Sequence, residues 1–138
     1  MTLPTASELR PILLPLALKI VRSYFPFGRL DYSPNSVHII EKTLGKLHKE
    51  FVGQGSDEGV WGTSLEFAAY IVEVIDRNYG PVDWQRDDSQ FGQDSFPLYW
   101  RGTTLFPLTW CLKRILEGEE DNVWDKFSII VMDDGNSN

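Results

Sequence analysis

The sequence predicts an α+β domain in which helices pack on a small, about three-stranded, antiparallel sheet. Three observations carry that expectation. Before Gly80 the apolar residues recur at helical spacing. After Pro81 the texture changes to short aromatic and β-branched runs, "VDWQR", "FPLYWR" and "TTLFP". From Pro107 the helical spacing returns. A chain of 138 residues with 42% hydrophobic and 24% charged side chains has enough material for one core without metal or disulfide support. Five Trp, five Tyr and eight Phe are plentiful at this length, and most are expected to fill that core. Residues 1–132 read as a single globular domain, and "DDGNSN" (133–138) as a flexible acidic tail.

Element by element, the first helix is expected over Pro11 to Tyr24, with Pro11 in its first turn and Pro26 as its stop. Pro15 disturbs its early part. In "SPNSVHIIEKTLGKLHKEF", Ser33 reads as an N-cap with Pro34 at the first helical position, and Val37, Ile40, Leu44, Leu47 and Phe51 share a face. Gly45 weakens that helix modestly. "VGQGSDEGVWG" reads as a loop. Thr63 with Glu66 then reads as a capping box opening a helix that runs to about Asn78 and closes at Gly80. The interior of that helix is apolar almost all round, so it should be the central one. Two of the three strands should join across Arg101-Gly102. Leu108, Cys111, Leu112 and Ile115 mark a proline-led helix ending at Gly118, and Asp121 or Asn122 should cap a last short helix.

The charge balance argues against several functions. Thirteen basic against twenty acidic residues give a net charge of −7, which opposes phosphate backbones and predicts no nucleic-acid partner. The densest basic run, Lys42 to Lys49, reads as diluted by Glu41 and Glu50. The lone Cys111 forms no internal disulfide, which suits a reducing compartment. "ILLPLALKIV" is too short and proline-broken for a membrane span. No small-x-small site follows it, as a secretory leader would require. The expectation is therefore a cytoplasmic chain with no membrane partner.

Among candidate site residues Glu73 is the sharpest, a carboxylate inside the most apolar helix. Such a group either has its pKa raised, as a general acid needs, or is held ionised by a partner. Arg77 lies four residues on along the same face, and Arg101 or Lys113 are candidates from other elements. Pairing as an anchor is the expected role. Cys111 falls on an apolar stripe and reads as core. His38 and His48 lie roughly 80° apart around one helix, which is no metal pair, and His48 between lysines suggests a solvated face. In "DDSQFGQDS" a calcium loop fails, because Phe91 takes a ligand position and Leu98 stands where a glutamate is required. Phosphate-cradling glycine motifs and a nucleophile elbow are absent. Trp84 and Trp100, with Tyr99, lie on predicted strands. Neighbouring strand residues face opposite ways, so if one face of the sheet is wet, one of Tyr99 and Trp100 is a candidate recognition surface beside Arg86 and Arg101; the alternative is that helices cover both faces.

Tyr70, Glu73, Val74 and Ile75, then Gly80 with Trp84, then Phe106-Pro107 and Lys113-Arg114 up to Gly118 are the residues that carry a resemblance. Over about Leu65 to Phe127 the chain resembles a family of small uncharacterised bacterial domains. Their pattern is a Tyr-x-Gly-Glu-Val-Ile helix followed by Gly-x-x-Trp, a strand and a proline-led helix. Val72 stands where that pattern has glycine. The resemblance implies a fold unit in which Glu73 matters, and it brings no established activity, cofactor or metal. The leading expectation is thus a non-catalytic soluble domain that binds another protein, as an adaptor or in an immunity-like role. The alternative is an enzyme or small-ligand domain with a pocket around Glu73, Arg77 and Arg101, roofed by Trp84 and Trp100. No cofactor is expected, and the oligomeric state is left open.

Overall fold

The computed structural model describes residues 6–24 and 29–136. Helix α1 (Ala6–Tyr24) begins ahead of the expected Pro11 and runs through Pro15. Pro15 lies on the exposed side, and the helix continues past it. The expected stop at Pro26 lies outside the described residues. Ser33 takes extended backbone as a cap should, but its side chain makes no capping bond; Pro34–Ser36 form a 3-10 turn instead, ahead of α2 (Val37–Gln54). Val37, Ile40 and Leu44 are sealed, while Leu47 and Phe51 are partly covered.

Helix α3 (Val60–Tyr79) starts a turn earlier than the sequence suggests. The Thr63 amide already donates to the Gly59 carbonyl at 3.0 Å, so Thr63 and Glu66 form no capping box. Val60 packs on the core and extends the helix backwards, which frees Glu66 to pair with Lys19 of α1 at 2.6 Å. As its all-round apolar sequence requires, α3 is the centre. Phe67 through Ile75 are all buried, with α1 on one side and α4 (Pro107–Glu117) on another.

Between α3 and α4 lies an antiparallel sheet of β1 (Asp83–Trp84), β2 (Leu98–Trp100) and β3 (Thr103–Leu105), in that order. Trp84 pairs with Leu98 and Leu98 with Leu105, so these three share the covered face, with Trp100 two residues along. Arg101 and Gly102, both at positive φ (48° and 75°), make the two-residue turn that matches strand twist. The fold is therefore α+β, as the sequence predicts.

After Gly118 a 3-10 turn (Glu119–Asp121) leads to α5 (Val123–Lys126), capped by the Asn122 side chain, which accepts from the Asp125 amide at 2.9 Å. "FSIIVM" is helical with a widened, π-type turn (Phe127–Met132), and α6 (Asp133–Asn136) continues it. Regular structure thus reaches into the segment read as a tail, and residues 137–138 lie outside the described ones.

Candidate functional site

The Glu73 side chain is 6% exposed, and Arg77 Nε reaches its Oε2 at 3.2 Å. The guanidinium also lies over the Tyr32 ring, 3.9 Å from its centroid, and that ring stacks on Tyr70. Tyr32 is held at positive φ (62°), its amide donating to the Tyr70 hydroxyl at 2.9 Å and its carbonyl accepting from Asn78 at 2.8 Å. Glu73 and Arg77 thereby help clip the segment before α2 onto α3. Burial raises the pKa of the Tyr32 phenol; Arg77 opposes the shift and Glu73 adds to it.

Trp84 and Trp100 are each 1% exposed. Trp84 donates its indole N–H to the Phe96 carbonyl at 3.2 Å, and Trp100 to the Tyr79 carbonyl at 2.9 Å. Both rings fill the core, so neither roofs a surface pocket; the sheet's inner face takes its large aromatics, and the helices cover them. Arg101 is exposed and lies 4.9 Å from the Trp100 ring centroid, donating to the Asp134 carbonyl at 3.3 Å. The structure joins Glu73 to Arg77 and Trp100 to Arg101.

The outward residue of β2 is Tyr99, whose hydroxyl donates to Asp88 Oδ2. That bond, with burial second, pushes the Tyr99 pKa up to about 12, and the same bond holds the Asp88 carboxyl below its ordinary range. Asp88 Oδ1 also accepts from the amides of Gln90 (2.7 Å) and Phe91 (3.0 Å). Arg86 closes on Asp94 at 2.6 Å, and Asp88 and Gly92 exchange backbone bonds. The acidic loop read from the sequence as a failed calcium loop is thus fastened by its own aspartates. It displays Phe91, 52% exposed, with the ring edge-on to Phe106 at 4.9 Å. Trp61, 45% exposed at the start of α3, sits on Phe96 at 5.9 Å. Phe96 and Phe106 flank the paired Leu98 and Leu105, which puts both exposed rings at one end of the hairpin.

Sequence reasoning missed one constellation. Glu41, placed on the surface when the basic run was judged diluted, turns inward instead. Its Oε1 accepts from Arg114 Nε at 2.8 Å and from the Val123 amide at 3.0 Å. Arg114 Nη2 goes on to Glu119 Oε2 at 3.0 Å. Helices α2, α4 and α5 meet at this point. The only local signal was Gly45, because a Cβ there would stand 2.8 Å from Arg114 Nη2. His48, expected on a solvated face, is half-buried with Nδ1 2.7 Å from the Ile115 carbonyl.

No protein-family model matches the chain, and no curated protein or solved structure matches it either.

What this chemistry can do follows from its bonds. Burial pushes the Cys111 thiol far above the ordinary thiol range, so it stays protonated and inert. Among the described residues no group of three or more His, Cys, Asp and Glu is placed to hold a metal ion, and no helix is long and apolar enough to cross a membrane. Both interior carboxylates, Glu41 and Glu73, are in ion pairs. Among the described residues the exposed large apolar side chains include the aromatics Phe91 and Trp61 beside the aliphatics Leu18, Val52, Ile129 and Ile130.

Proposed function

We propose that the chain is a non-catalytic bacterial domain, soluble in the cytoplasm, that works by binding another protein in an adaptor or immunity-like role. The contact edge is formed by Phe91 and Trp61. One observation carries the reading: Phe91 is held out from a loop whose shape is fixed by its own hydrogen bonds. A rigid exposed aromatic loses little freedom on association and makes a strong anchor. Asp87 and Asp94 beside it, on a chain of net charge −7, favour a partner with an apolar pocket inside a basic rim. Kinship with the small bacterial domains that share the Glu73 and Trp84 pattern belongs to the same proposal. In it Glu73 and Arg77 act as an anchor, and Arg101 contributes at the rim at most.

The experiment is chemical cross-linking in lysate of the source cell, with wild type compared against Phe91→Asp, Trp61→Asp and, as a control, the same change at the exposed aliphatic Ile129. A protein captured by wild type and by the control, but lost from both aromatic variants, is the expected result. Removing one such anchor should weaken the complex by about 2 kcal/mol. Equal capture by all four, or by none, would overturn the reading.

A further inference from the structure

On the side of the molecule where α2 meets α4, an open depression of about 510 Å³ lies over Arg114. Its lining includes Lys42, Lys46, Lys49, His48, Arg114 and Glu119. Lys42, Lys46 and Lys49 fall at successive turns of α2, on one face. Glu41 also lines the depression, its Oε1 already accepting from Arg114 and Val123, so the lining sets Lys42, Lys46, Lys49 and Arg114 against the carboxylates of Glu41 and Glu119. A local excess of positive charge therefore stands on a chain of net charge −7.

Arg114 is the second half of the argument. Its stem is buried, and its guanidinium passes over the bare backbone of Gly45, where any Cβ would collide with Nη2. Nη2 ends on the carboxylate of Glu119, a side chain that is 79% exposed and tied down otherwise by Asn122 Nδ2 at 2.9 Å. Glu119 is thus an anionic group of the chain itself, seated at the mouth of a basic depression and free on its outer side.

We propose that this depression binds a small phosphorylated molecule through its phosphate, which displaces Glu119 from Arg114. The volume suits a small organic ligand. A free monocarboxylate offers Arg114 no more than Glu119 already does, and Glu119 has the advantage of being tethered. A phosphate brings greater charge and three acceptor oxygens, enough to engage Arg114 and the flanking lysines together. A nucleic-acid strand fits poorly, since the rest of the acidic chain would repel its further phosphates.

The test is titration of the whole protein at low ionic strength with glycerol phosphate, inorganic phosphate and acetate, read by amide chemical shifts and calorimetry. Saturable binding of glycerol phosphate is expected, with shifts centred on α2 and α4 and no saturation by acetate. Glu119→Gln removes the internal competitor and should tighten binding by about tenfold, and Lys42→Gln with Lys49→Gln should weaken it by about tenfold. Both changes are at exposed positions, and the spectrum itself reports the fold. Binding no tighter in Glu119→Gln, binding unchanged by loss of the lysines, or acetate acting like phosphate would each overturn the proposal. Inorganic phosphate binding where the monoester does not would also overturn it, because the ligand would then not be a phosphorylated molecule.

Discussion

Glu41 and Glu73 are buried to nearly the same degree, 8% and 4% exposed, yet their surroundings differ in kind. Glu73 pairs along its own helix with Arg77, whose side chain is 46% exposed and has water as an alternative. Glu41 pairs across helices with Arg114, whose side chain is 5% exposed, and the same oxygen accepts the first amide of α5. One pair trims an edge of the core; the other ties three helices with both of its side chains almost fully covered. Equal burial of a carboxylate therefore does not imply equal weight in the fold, because the partner's access to water sets the cost of losing it.

The sharpest way to break that comparison is to remove each acid in turn. Glu41→Ala leaves Arg114 buried with a single exposed partner and the Val123 amide without an acceptor, so a loss of about 3–5 kcal/mol is expected in urea unfolding. Replacing Glu41 and Arg114 together by Met should recover most of that, since the pair's value is largely the penalty of separating it. Gly45→Ala probes the same contact. Helix propensity alone predicts a gain of about 1 kcal/mol, but the added methyl displaces Arg114 Nη2 and loosens its bond to Glu119, so little or none of that gain is expected. Glu73→Gln should lose only about 1 kcal/mol, a few degrees in Tm, because Arg77 can turn outward. A larger loss from Glu73→Gln than from Glu41→Ala would reverse the comparison.

The same contrast explains what the sequence could reveal. Glu73 and Arg77 are four residues apart, so helical spacing alone brings them together. Glu41 and Arg114 are 73 residues apart, and only the packing of α2 on α4 makes them neighbours. The architecture was legible for the same reason: apolar periodicity, Pro107 at a helix start and Arg101-Gly102 at a hairpin are local features. The misplaced capping box at Thr63 and the misread Ser33 cap are also local, and they fail where packing of Val60 and a 3-10 turn override the preference. The strand tryptophans illustrate the other limit. Alternation told that Tyr99 and Trp100 face opposite ways, but which face the helices cover is decided by the whole fold. The exposed rings turned out to be Phe91 and Trp61, in segments read simply as loop.

The smallest expected effect refines the Glu73 side of the comparison. Tyr32 presents its ring to Arg77 and Tyr70, but its hydroxyl is buried without a hydrogen-bond partner, the one such side-chain atom among the described residues. A buried hydroxyl of that kind destabilises the fold, while the ring beneath the guanidinium supports it. Tyr32→Phe separates the two, keeping the ring and deleting the unpaired oxygen. Stability should hold or rise by up to about 1 kcal/mol, whereas Tyr32→Leu, which removes the ring as well, should lose about 1–2 kcal/mol. If Tyr32→Phe instead costs as much as Tyr32→Leu, the hydroxyl has a partner in solution. The clip between Tyr32, Arg77 and Glu73 would then be a hydrogen-bonded network of the kind found at Glu41, and the distinction between the two carboxylates would narrow.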